Sequence, residues 1–405
     1  LATLFAEASN PLSLPPAVGA AAPNGVGSVG AALGLNGIVN NFGQPGGVFL
    51  SPEFAITGDR GSATFTELAS FTADLAAGKI KTLFIHGFNP VFELPASLGF
   101  TKALESVSTV ISFSSYQDET SAIADYVLPD HTALESFGYQ RVRNGNTVTV
   151  LSGAQPVVAP YFNTMSTIDV LLAAGNAAGG KAALGYTDEV QFIQSKIEPL
   201  MTTADGYYSS AEMPAFWASF QQFGGWWKNS SSLGTPTGID LNKIASLTPA
   251  PQGEGEVFLH TYMSPILAES GANKPWLQEV PDPATTVMWN TWLEINPETA
   301  KELGIVDDDV LRVISADGEI EVPVVTHKAI RPDVVAIPFG QGHSNNGRYA
   351  SNRGVNPANL FGTATNDAGD VIINAIKVKL EKTGKQAPLS KLSGYARLER
   401  DLKAE

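Results

Sequence analysis

The densest group of polar side chains in this 405-residue sequence lies in residues 340–359. This segment combines glycines with amide, imidazole and guanidinium side chains, and it follows an apolar run that is predicted to be a strand. Its backbone N–H groups and two guanidinium groups suit a ligand that carries phosphates or a polar heterocycle. The alternative is a long loop held by its own hydrogen bonds. The hydrogen-bonding side chains are Gln341, His343, Asn345, Asn346, Arg348, Arg353 and Asn356.

Several other kinds of chemistry are disfavoured by the residues available. The sequence contains no Cys, which removes disulfides, thiolate nucleophiles and cysteine-ligated iron–sulfur clusters. Its five His are far apart, and HExxH, EF-hand and GxSxG motifs are absent. A GxGxxG match at Gly25, Gly27 and Gly30 lacks the preceding strand and the following acidic residue of a dinucleotide-binding motif. Covalent catalysis could then use only a Ser and His pair, which the sequence does not locate. We predict no particular catalytic residue and no metal ligand in this chain.

The overall composition describes a globular protein with a large core. Hydrophobic residues make up 43% of the sequence and charged residues only 16%, which excludes a disordered chain and predicts two or three domains. Acidic residues outnumber basic ones by 40 to 25, so the formal net charge of −15 argues against nucleic acid or an anionic membrane surface as a partner. Residues 8–52 are uncharged, but Gly, Pro, Ser and Asn interrupt them too often for a transmembrane helix.

The first part of the chain has the pattern of an α/β domain with a parallel sheet. Short apolar runs at residues 81–86, 109–115 and 126–128 predict strands, and residues 95–107 between the first two predict a helix. In such sheets ligands bind beyond the carboxyl ends of the strands. Residues 86–89 and 114–119 are therefore the expected ligand-binding turns of a Rossmann-like domain covering residues 1–255.

An aromatic cluster interrupts the second half of this domain, at residues 216–227. Its helix-like spacing favours a satellite core or a partner-docking surface over a ligand cage. Helices are predicted before it at residues 163–176 and 185–201, the second of them capped by Thr187.

After residue 256 the pattern becomes that of a small closed β-barrel. Residues 310–315 and 320–325 predict a hairpin, and residues 371–379 predict the strand that closes the barrel. One helix is clearly marked, with Asn296 as its N-cap, Pro297 in its first turn and Gly304 at its end. We expect the barrel domain to cover residues 256–380 and a charged extension to cover 381–405.

Five segments carry a resemblance to a known family. The sequence resembles the second half of molybdopterin oxidoreductases of the dimethyl sulfoxide reductase superfamily, in order and over nearly its whole length. Within that superfamily these segments are most similar to the polysulfide-reductase-like branch, which includes the large iron–sulfur subunit of alternative complex III. The segments are FIHGFNPV (84–91), DETSAIADYVLPDHTALESFG (118–138), NKPWLQEVPDP (273–283), WNTWLEINPETAKELGI (289–305) and VVAIPFGQGHSNNGRYASNRGVNP (334–357).

The resemblance implies an architecture and a set of cofactor-contacting positions. It implies a Rossmann-like parallel-sheet domain followed by a six-stranded β-barrel of the double-psi type. In catalytic family members the FNP turn and the barrel loop contact a molybdopterin guanine dinucleotide. The positions carried over by matching motifs are Gly87, Asn89, Gln341, Gly342, His343 and Arg348.

The resemblance also implies a role in electron transfer. The family's N-terminal part, which supplies the molybdenum ligand and often a cysteine-bound cluster, does not occur in these 405 residues. The leading expectation is therefore a non-catalytic subunit, without a cofactor of its own, in a membrane-associated quinol-oxidising complex of the alternative complex III type. Iron–sulfur, multihaem cytochrome and quinol-binding membrane subunits would be its partners on the extracytoplasmic, periplasmic face. The alternative is the C-terminal half of an active polysulfide- or thiosulfate-reductase-like enzyme that uses molybdopterin guanine dinucleotide.

Overall fold

The computed structural model describes residues 1–16, 18–52, 62–142, 145, 147–180, 183–230, 233–238, 240, 252–268 and 270–392. The α-helices of this described part are α1 (Ala2–Glu7), α2 (Gly25–Ile38), α3 (Phe65–Ala76), α4 (Pro90–Glu93), α5 (Phe100–Leu104), α6 (Thr167–Ala178), α7 (Glu189–Ile197), α8 (Met213–Phe223), α9 (Pro275–Gln278) and α10 (Pro297–Glu302). Its strands are β1 (Thr82–Ile85), β2 (Thr109–Ser112), β3 (Tyr126–Val127), β4 (Gly138–Arg141), β5 (Val150–Ala154), β6 (Gly225–Trp227), β7 (Val257–Met263), β8 (Val287–Met288), β9 (Leu293–Ile295), β10 (Asp309–Ile314), β11 (Glu319–Thr326), β12 (Val334–Phe339), β13 (Ile376–Gln386) and β14 (Ser390–Lys391).

Three short parallel strands form the sheet of the α/β region, in the order β1–β2–β3. Apolar side chains of β1 and β2 pack against α3 and α5 in a cluster that includes Leu75, Ile85 and Leu104. The parallel sheet predicted from the sequence is confirmed. Since the strands run in the same direction, the turns that follow them all emerge at one edge of the sheet.

The helix predicted between β1 and β2 is divided. Residues 96–98 form a 3₁₀ turn and α5 begins only after Gly99. Gly99 has a φ of 70°, a left-handed conformation that ends the turn and redirects the chain. Helix α7 begins at Glu189, within the predicted range of 185–201, and its N-cap lies one position later than predicted. The side chain of Asp188, not Thr187, accepts the capping hydrogen bond, which comes from the Gln191 N–H.

Six strands of the C-terminal region close into a barrel in the order β10–β11–β9–β12–β7–β13. The β12–β7 and β11–β9 pairs are parallel, and the β10–β11 hairpin is antiparallel as predicted. Fully buried Leu, Ile and Val side chains from all six strands fill the interior. The α/β fold class with a C-terminal six-stranded barrel is therefore confirmed.

Helix α10 lies between β9 and β10 and matches its sequence signals. The Asn296 side chain accepts a hydrogen bond of 2.8 Å from the Glu298 N–H, and Pro297 occupies the first turn. The sequence pattern of residues 286–293 predicts one strand before this helix, but the structure divides it. Trp289 has a φ of 62°, and this left-handed residue separates β8 from β9.

The chain stays in the barrel beyond residue 380, so the expected start of the charged extension is wrong. Residues 381–386 form the second half of β13 and pair with β10 as far as Gln386. The charged side chains of this segment are exposed, and Lys385 pairs with Glu321 at 2.7 Å. Strand β14 then pairs with β8. Residues 393–405, the rest of the predicted extension, lie outside the described residues.

The aromatic cluster is a satellite core, as predicted. Phe216, Phe220 and Trp226 are almost completely buried and pack with Leu151 and Ile193. The cluster joins α7 and α8 to the β4–β5–β6 sheet.

Candidate functional site

A polar cleft of about 370 Å³ lies between the carboxyl edge of the parallel sheet and the loop that follows β12. Segments from both regions of the molecule form its walls. The turn after β1, the turn after β2 and the residues after β3 supply one side, and the barrel supplies the other. The lining residues are Ile85, His86, Gly87, Phe88, Asn89, Phe92, Glu93, Phe113, Ser114, Ser115, Tyr116, Asp118, Asp130, His131, Ser270, Asn273, His343 and Asn346.

The turn after β1 gives the cleft its open face. Gly87 has a φ of 64°, and a Cβ atom placed there would meet no atom within 4 Å. The chain then enters α4 through Asn89 and Pro90. A left-handed glycine beside open space lets backbone groups approach a ligand closely.

A buried carboxylate joins the two sides of the cleft. Glu119 is 8% exposed and accepts a 2.8 Å hydrogen bond from the Asn89 side-chain amide. From the barrel loop it accepts hydrogen bonds from the Ser344 N–H at 2.8 Å and the Asn345 N–H at 3.1 Å. His343 Nδ1 lies 3.2 Å from both Glu119 oxygens. One side chain of the sheet domain therefore binds the predicted ligand loop of the barrel.

These contacts change the acidity of Glu119. Burial alone raises the pKa of the carboxyl, but hydrogen bonds from His343, Asn345 and Asn89 lower it, and the net pKa is about 2. Glu119 is therefore ionised at neutral pH. Its ionised carboxylate accepts hydrogen bonds from the Ser344 and Asn345 N–H groups, which could otherwise bind an external anion.

His343 is held on its ring face as well as at its nitrogens. Its ring stacks on Phe92 with centroids 3.6 Å apart and an interplanar angle of 15°. The Asn346 side chain lies 3.5 Å from His343 Nε2 and also accepts a hydrogen bond from Asn273 at 3.2 Å. The barrel loop is thus fixed on the α4 side by stacking and on the α9 side by amide contacts.

A second polar group lies at the other end of the cleft, after β3. Asp130 accepts hydrogen bonds from the Thr167 N–H at 3.1 Å and the Thr167 hydroxyl at 2.8 Å. Its Oδ2 lies 2.8 Å from Nε2 of the exposed His86. The neighbouring His131 contacts the Thr164 hydroxyl at 2.7 Å. This end of the cleft presents two imidazoles and a carboxylate toward the cavity.

The structure places three of the six predicted cofactor-binding residues at the cleft: Gly87, Asn89 and His343. The side chain of buried Gln341 instead pairs with Gln278. Gly342 has a φ of 99°, and a Cβ there would lie 2.1 Å from the Asn356 nitrogen, so this glycine serves loop packing. Arg348 is exposed and lies over the Tyr349 ring.

The sequence patterns do not predict every residue of the cleft individually. Asp130 and His131 follow the predicted third strand, so the carboxyl-edge rule applied to that strand would have found them. Tyr116 and Asp118 fall inside the predicted turn at residues 114–119. Asn273 gave no local signal, since only the tertiary fold brings it to Asn346.

The cleft has the groups that recognise a polar heterocycle but few that neutralise phosphate. The carboxylates of Asp118 and Asp130 can accept hydrogen bonds from ring N–H groups, and the exposed Tyr116 offers a ring face for stacking. None of the lining residues in the described part of the chain is Lys or Arg. Lys274 lies beside the rim, where its amine is 5.6 Å from the Tyr116 ring centre and donates to the Ser270 carbonyl. Burial lowers the pKa of the Lys274 amine.

The described residues contain neither a metal-binding cluster nor a membrane-spanning helix. Their His, Asp and Glu side chains form no group of three or more that could hold a metal ion. No helix within the described ranges combines the length and the apolar character needed to cross a membrane.

Comparison with known proteins identifies the class of the barrel region. Residues 276–371 match the family described as "Molydopterin dinucleotide binding domain". These residues include most of α9, all of α10, four of the six barrel strands and the loop that contacts Glu119. The barrel region and the loop on its side of the cleft therefore match a molybdopterin-dinucleotide-binding domain.

Two curated relatives extend the match toward the N-terminus. A "Menaquinone reductase, molybdopterin-binding-like subunit" from Nitratidesulfovibrio vulgaris is 25% identical over 90% of this chain and 52% of the relative. A "Dimethyl sulfoxide/trimethylamine N-oxide reductase" from Cereibacter sphaeroides is 26% identical over 64% of this chain and 36% of the relative. The chain thus spans about half or less of the length of these relatives.

A solved structure shows the same fold. Acetylene hydratase from Pelobacter acetylenicus superposes with a TM-score of 0.64 and 17% identity, over 94% of this chain and 62% of that chain. Taken together, the matches confirm the resemblance: the chain corresponds to the C-terminal part of molybdopterin oxidoreductases. The expectation that it holds no cofactor is not supported, because the matched domain points to a molybdopterin-type cofactor.

Proposed function

We propose that the cleft binds the heterocyclic part of a molybdopterin-type dinucleotide, and that the chain acts in a quinone-linked electron-transfer complex. The observation that supports the first part most strongly is the position of the cleft. It lies between the carboxyl edge of a parallel sheet and a loop of the matched dinucleotide-binding domain, joined by Glu119. The match to a menaquinone reductase subunit over 90% of this chain supports the second part.

The side chains of the cleft suggest how the group would be held. Asp118 and the amides of Asn273 and Asn346 face the cavity and suit the donors and acceptors on the edge of a guanine or pterin ring. Tyr116 suits stacking against the ring. Lys274 at the rim is a cation that could contact a phosphate. When bound, the cofactor supplies redox chemistry, and this chain supplies binding and orientation.

Glu119 has a positioning role in this proposal. Its oxygens accept hydrogen bonds from Asn89, Ser344 and Asn345, so it sets the distance between the two walls. Because the pKa of Glu119 is about 2, this contact is charged at every physiological pH. The cleft is thereby formed before any ligand enters, which lowers the entropic cost of binding.

A matched pair of glycine variants tests the cleft assignment. Gly87 and Gly304 both have a φ of 64°, and a Cβ at either position would meet no atom within 4 Å. Gly87→Val and Gly304→Val therefore carry a similar left-handed strain of about 1–2 kcal/mol. Only Gly87 lines the cleft, so only Gly87→Val places methyl groups where the heterocycle would lie.

The readout is the pterin content of the purified polypeptide as it is naturally encoded, measured by oxidation to a fluorescent pterin and chromatography. We expect Gly87→Val to lower pterin content by about tenfold, equivalent to about 1.4 kcal/mol of binding free energy, and Gly304→Val to leave it unchanged. Equal pterin content in both variants would place the cofactor elsewhere.

A second candidate function is favoured by the charge of the cleft. Glu93, Asp118 and Asp130 contribute carboxylates to the lining, and its described residues contribute no Lys or Arg. Such a lining repels the pyrophosphate of a dinucleotide. The candidate is a scaffold subunit of the alternative complex III type that has kept the fold without molybdenum. Wild-type polypeptide without pterin, recovered in an intact complex, would support this second function.

The finer expectations about the complex belong to the same proposal. Iron–sulfur, multihaem cytochrome and quinol-binding membrane subunits would be the partners, on the extracytoplasmic face of the membrane. The support for this is the resemblance and the relative that is itself named as a subunit. Purification in mild detergent, followed by subunit identification and a quinol-oxidation assay, tests it. Recovery of this polypeptide alone in every detergent would contradict it.

A further inference from the structure

A second surface feature, beside the cleft, has no part in binding the heterocycle. Six large apolar side chains project from two neighbouring loops after β3 and β5. Tyr161 is 85% exposed and Phe162 is 73% exposed. The six residues, called here the apolar loop patch, are Leu134, Val157, Val158, Tyr161, Phe162 and Met165. Contiguous exposed apolar groups of this size mark an interaction surface on a folded protein.

The apolar loop patch is held in a defined conformation. The N–H groups of Val157 and Val158 both donate to the Leu134 carbonyl, at 2.9 and 3.3 Å. The Tyr161 N–H donates to Glu135 Oε1 at 2.9 Å, and the Tyr161 and Phe162 rings contact edge to face at 4.9 Å. Backbone contacts therefore pre-organise the exposed rings, which lowers the entropic cost of binding a partner.

The same loops are attached to the wall of the cleft. The Met165 N–H donates to the Pro129 carbonyl at 3.2 Å, directly before Asp130 and His131 of the cleft. His131 contacts the Thr164 hydroxyl, and Asp130 contacts Thr167. A molecule bound on the patch would therefore lie next to one end of the cleft.

The charge around the patch identifies the kind of partner. Residues 126–136 and 155–169 contain Asp130, Glu135 and Asp169 but no Lys or Arg. The pKa of Glu135 is lowered by hydrogen bonds from the Tyr161 and Thr132 N–H groups, so this charge persists beside the patch. An anionic lipid surface would be repelled. A protein surface with an apolar centre and basic residues at its edge is complementary.

We infer that the apolar loop patch is the contact surface for a protein subunit whose own surface is apolar at the centre and basic at the rim. The inference rests on the proposed function only in placing the chain within a complex, and it is independent of what the cleft binds. Tyr161 and Phe162 are the anchor residues, because exposed aromatic side chains fixed in one conformation contribute most to such interfaces.

Thiol labelling tests the inference, since the 405 residues contain no Cys. Tyr161→Cys is compared with Val306→Cys, a control at an apolar barrel residue that is 55% exposed. Each variant is labelled with a maleimide, alone and within the detergent-purified complex, and the labelled peptide is quantified by mass spectrometry. We expect the complex to slow labelling at position 161 by at least about tenfold, as for a central interface residue, and not at position 306.

Three results would overturn the inference. Equal labelling of Tyr161→Cys in the isolated polypeptide and in the complex would show that the patch is free. Protection in the isolated polypeptide would assign the patch to its own chain or to a second copy. Protection produced by vesicles containing anionic lipid alone would make it a membrane contact. Loss of pterin binding in the glycine experiment would leave all three measurements unchanged, so the two proposals fail separately.

Discussion

Two buried glutamates, one at the cleft and one in the barrel, use similar contacts for different purposes. Glu119 accepts from a histidine, an amide side chain and two backbone N–H groups, and its barrel partners are more than 220 residues away in sequence. Glu294 contacts the Tyr262 hydroxyl, the Trp292 indole and His327 Nδ1, all within 33 residues. Both carboxylates are less than a tenth exposed.

The difference lies in what each carboxylate connects. Glu294 and its partners all belong to the barrel region, so it stabilises one folding unit. Glu119 joins a sheet turn to a barrel loop across the cleft. The two regions also meet through a backbone bridge between Asp118 and Asn346, and through hydrogen bonds from Asn356 to the Phe92 carbonyl and from Ser97 to the Phe361 carbonyl. Removing Glu119 should therefore change the site, whereas weakening the Glu294 cluster should change only stability.

The largest expected effect is that of Glu119→Ala. The substitution leaves the Asn89 amide, His343 and two loop N–H groups buried without their acceptor, and breaking such an ionic contact costs about 3–5 kcal/mol. Denaturant unfolding measures this loss in the free energy of unfolding. Hydrogen exchange should show faster exchange of the Ser344 and Asn345 N–H groups.

Glu294→Ala is the matched control for that exchange measurement. It removes an equally buried carboxylate but should leave the exchange of the residue 344 and 345 amides unchanged. If Glu119→Ala changed unfolding free energy by less than about 1 kcal/mol, water or the loop itself would be replacing the carboxylate, and the cross-cleft role would be wrong.

The pH dependence of stability gives the next largest effect. The pKa of Glu119 is 4.5 in the reference state and about 2 in the fold, so the unfolded chain binds the proton first as pH falls. The stabilisation is complete above pH 4.5 and is lost as pH falls toward 2, by roughly 3 kcal/mol in total. Denaturation curves of wild type and Glu119→Gln should therefore converge below pH 4.5. Parallel curves down to pH 2.5 would contradict the assignment.

Much of the fold could be predicted because its signals are local. Asn296 caps the start of α10 and Gly304 follows its end, and the β10–β11 hairpin follows from two apolar runs around a turn. The errors arise where tertiary pairing overrides local pattern. Residues 381–386 look like a charged tail, yet they complete β13 because the barrel provides β10 as a partner. Trp289 interrupts an apolar run with a left-handed backbone conformation, which its residue type does not predict.

The site was less predictable than the fold. The carboxyl-edge rule correctly placed Gly87 and Asn89 beside the cleft, because strand direction determines where turns emerge. The same rule predicts that residues 114–119 form one ligand-binding turn, whereas the Glu119 carboxylate accepts hydrogen bonds from the barrel loop. Gln341 was expected to face a ligand but pairs with Gln278, 63 positions away. Neither partnership leaves a signal in the neighbouring sequence.

The smallest expected effect is that of Tyr262→Phe, which changes the Glu294 cluster of the barrel. Burial and the neighbouring Glu294 raise the pKa of Tyr262 above its usual range, so the hydroxyl stays protonated and donates to Glu294. Tyr262→Phe removes one hydrogen bond to a charged group and should cost about 2 kcal/mol of unfolding free energy. Pterin content should be unaffected. A loss of pterin with this variant would mean that the barrel cluster and the cleft are coupled.

The most direct test of the central claim is the pterin content of the wild-type polypeptide, purified as naturally encoded and without added cofactor. If the cleft between the FNP turn and the barrel loop binds a molybdopterin-type dinucleotide, oxidised extracts will contain stoichiometric pterin, and Gly87→Val will lose it. Wild-type protein that is folded, assembled with its partners and free of pterin would contradict the account.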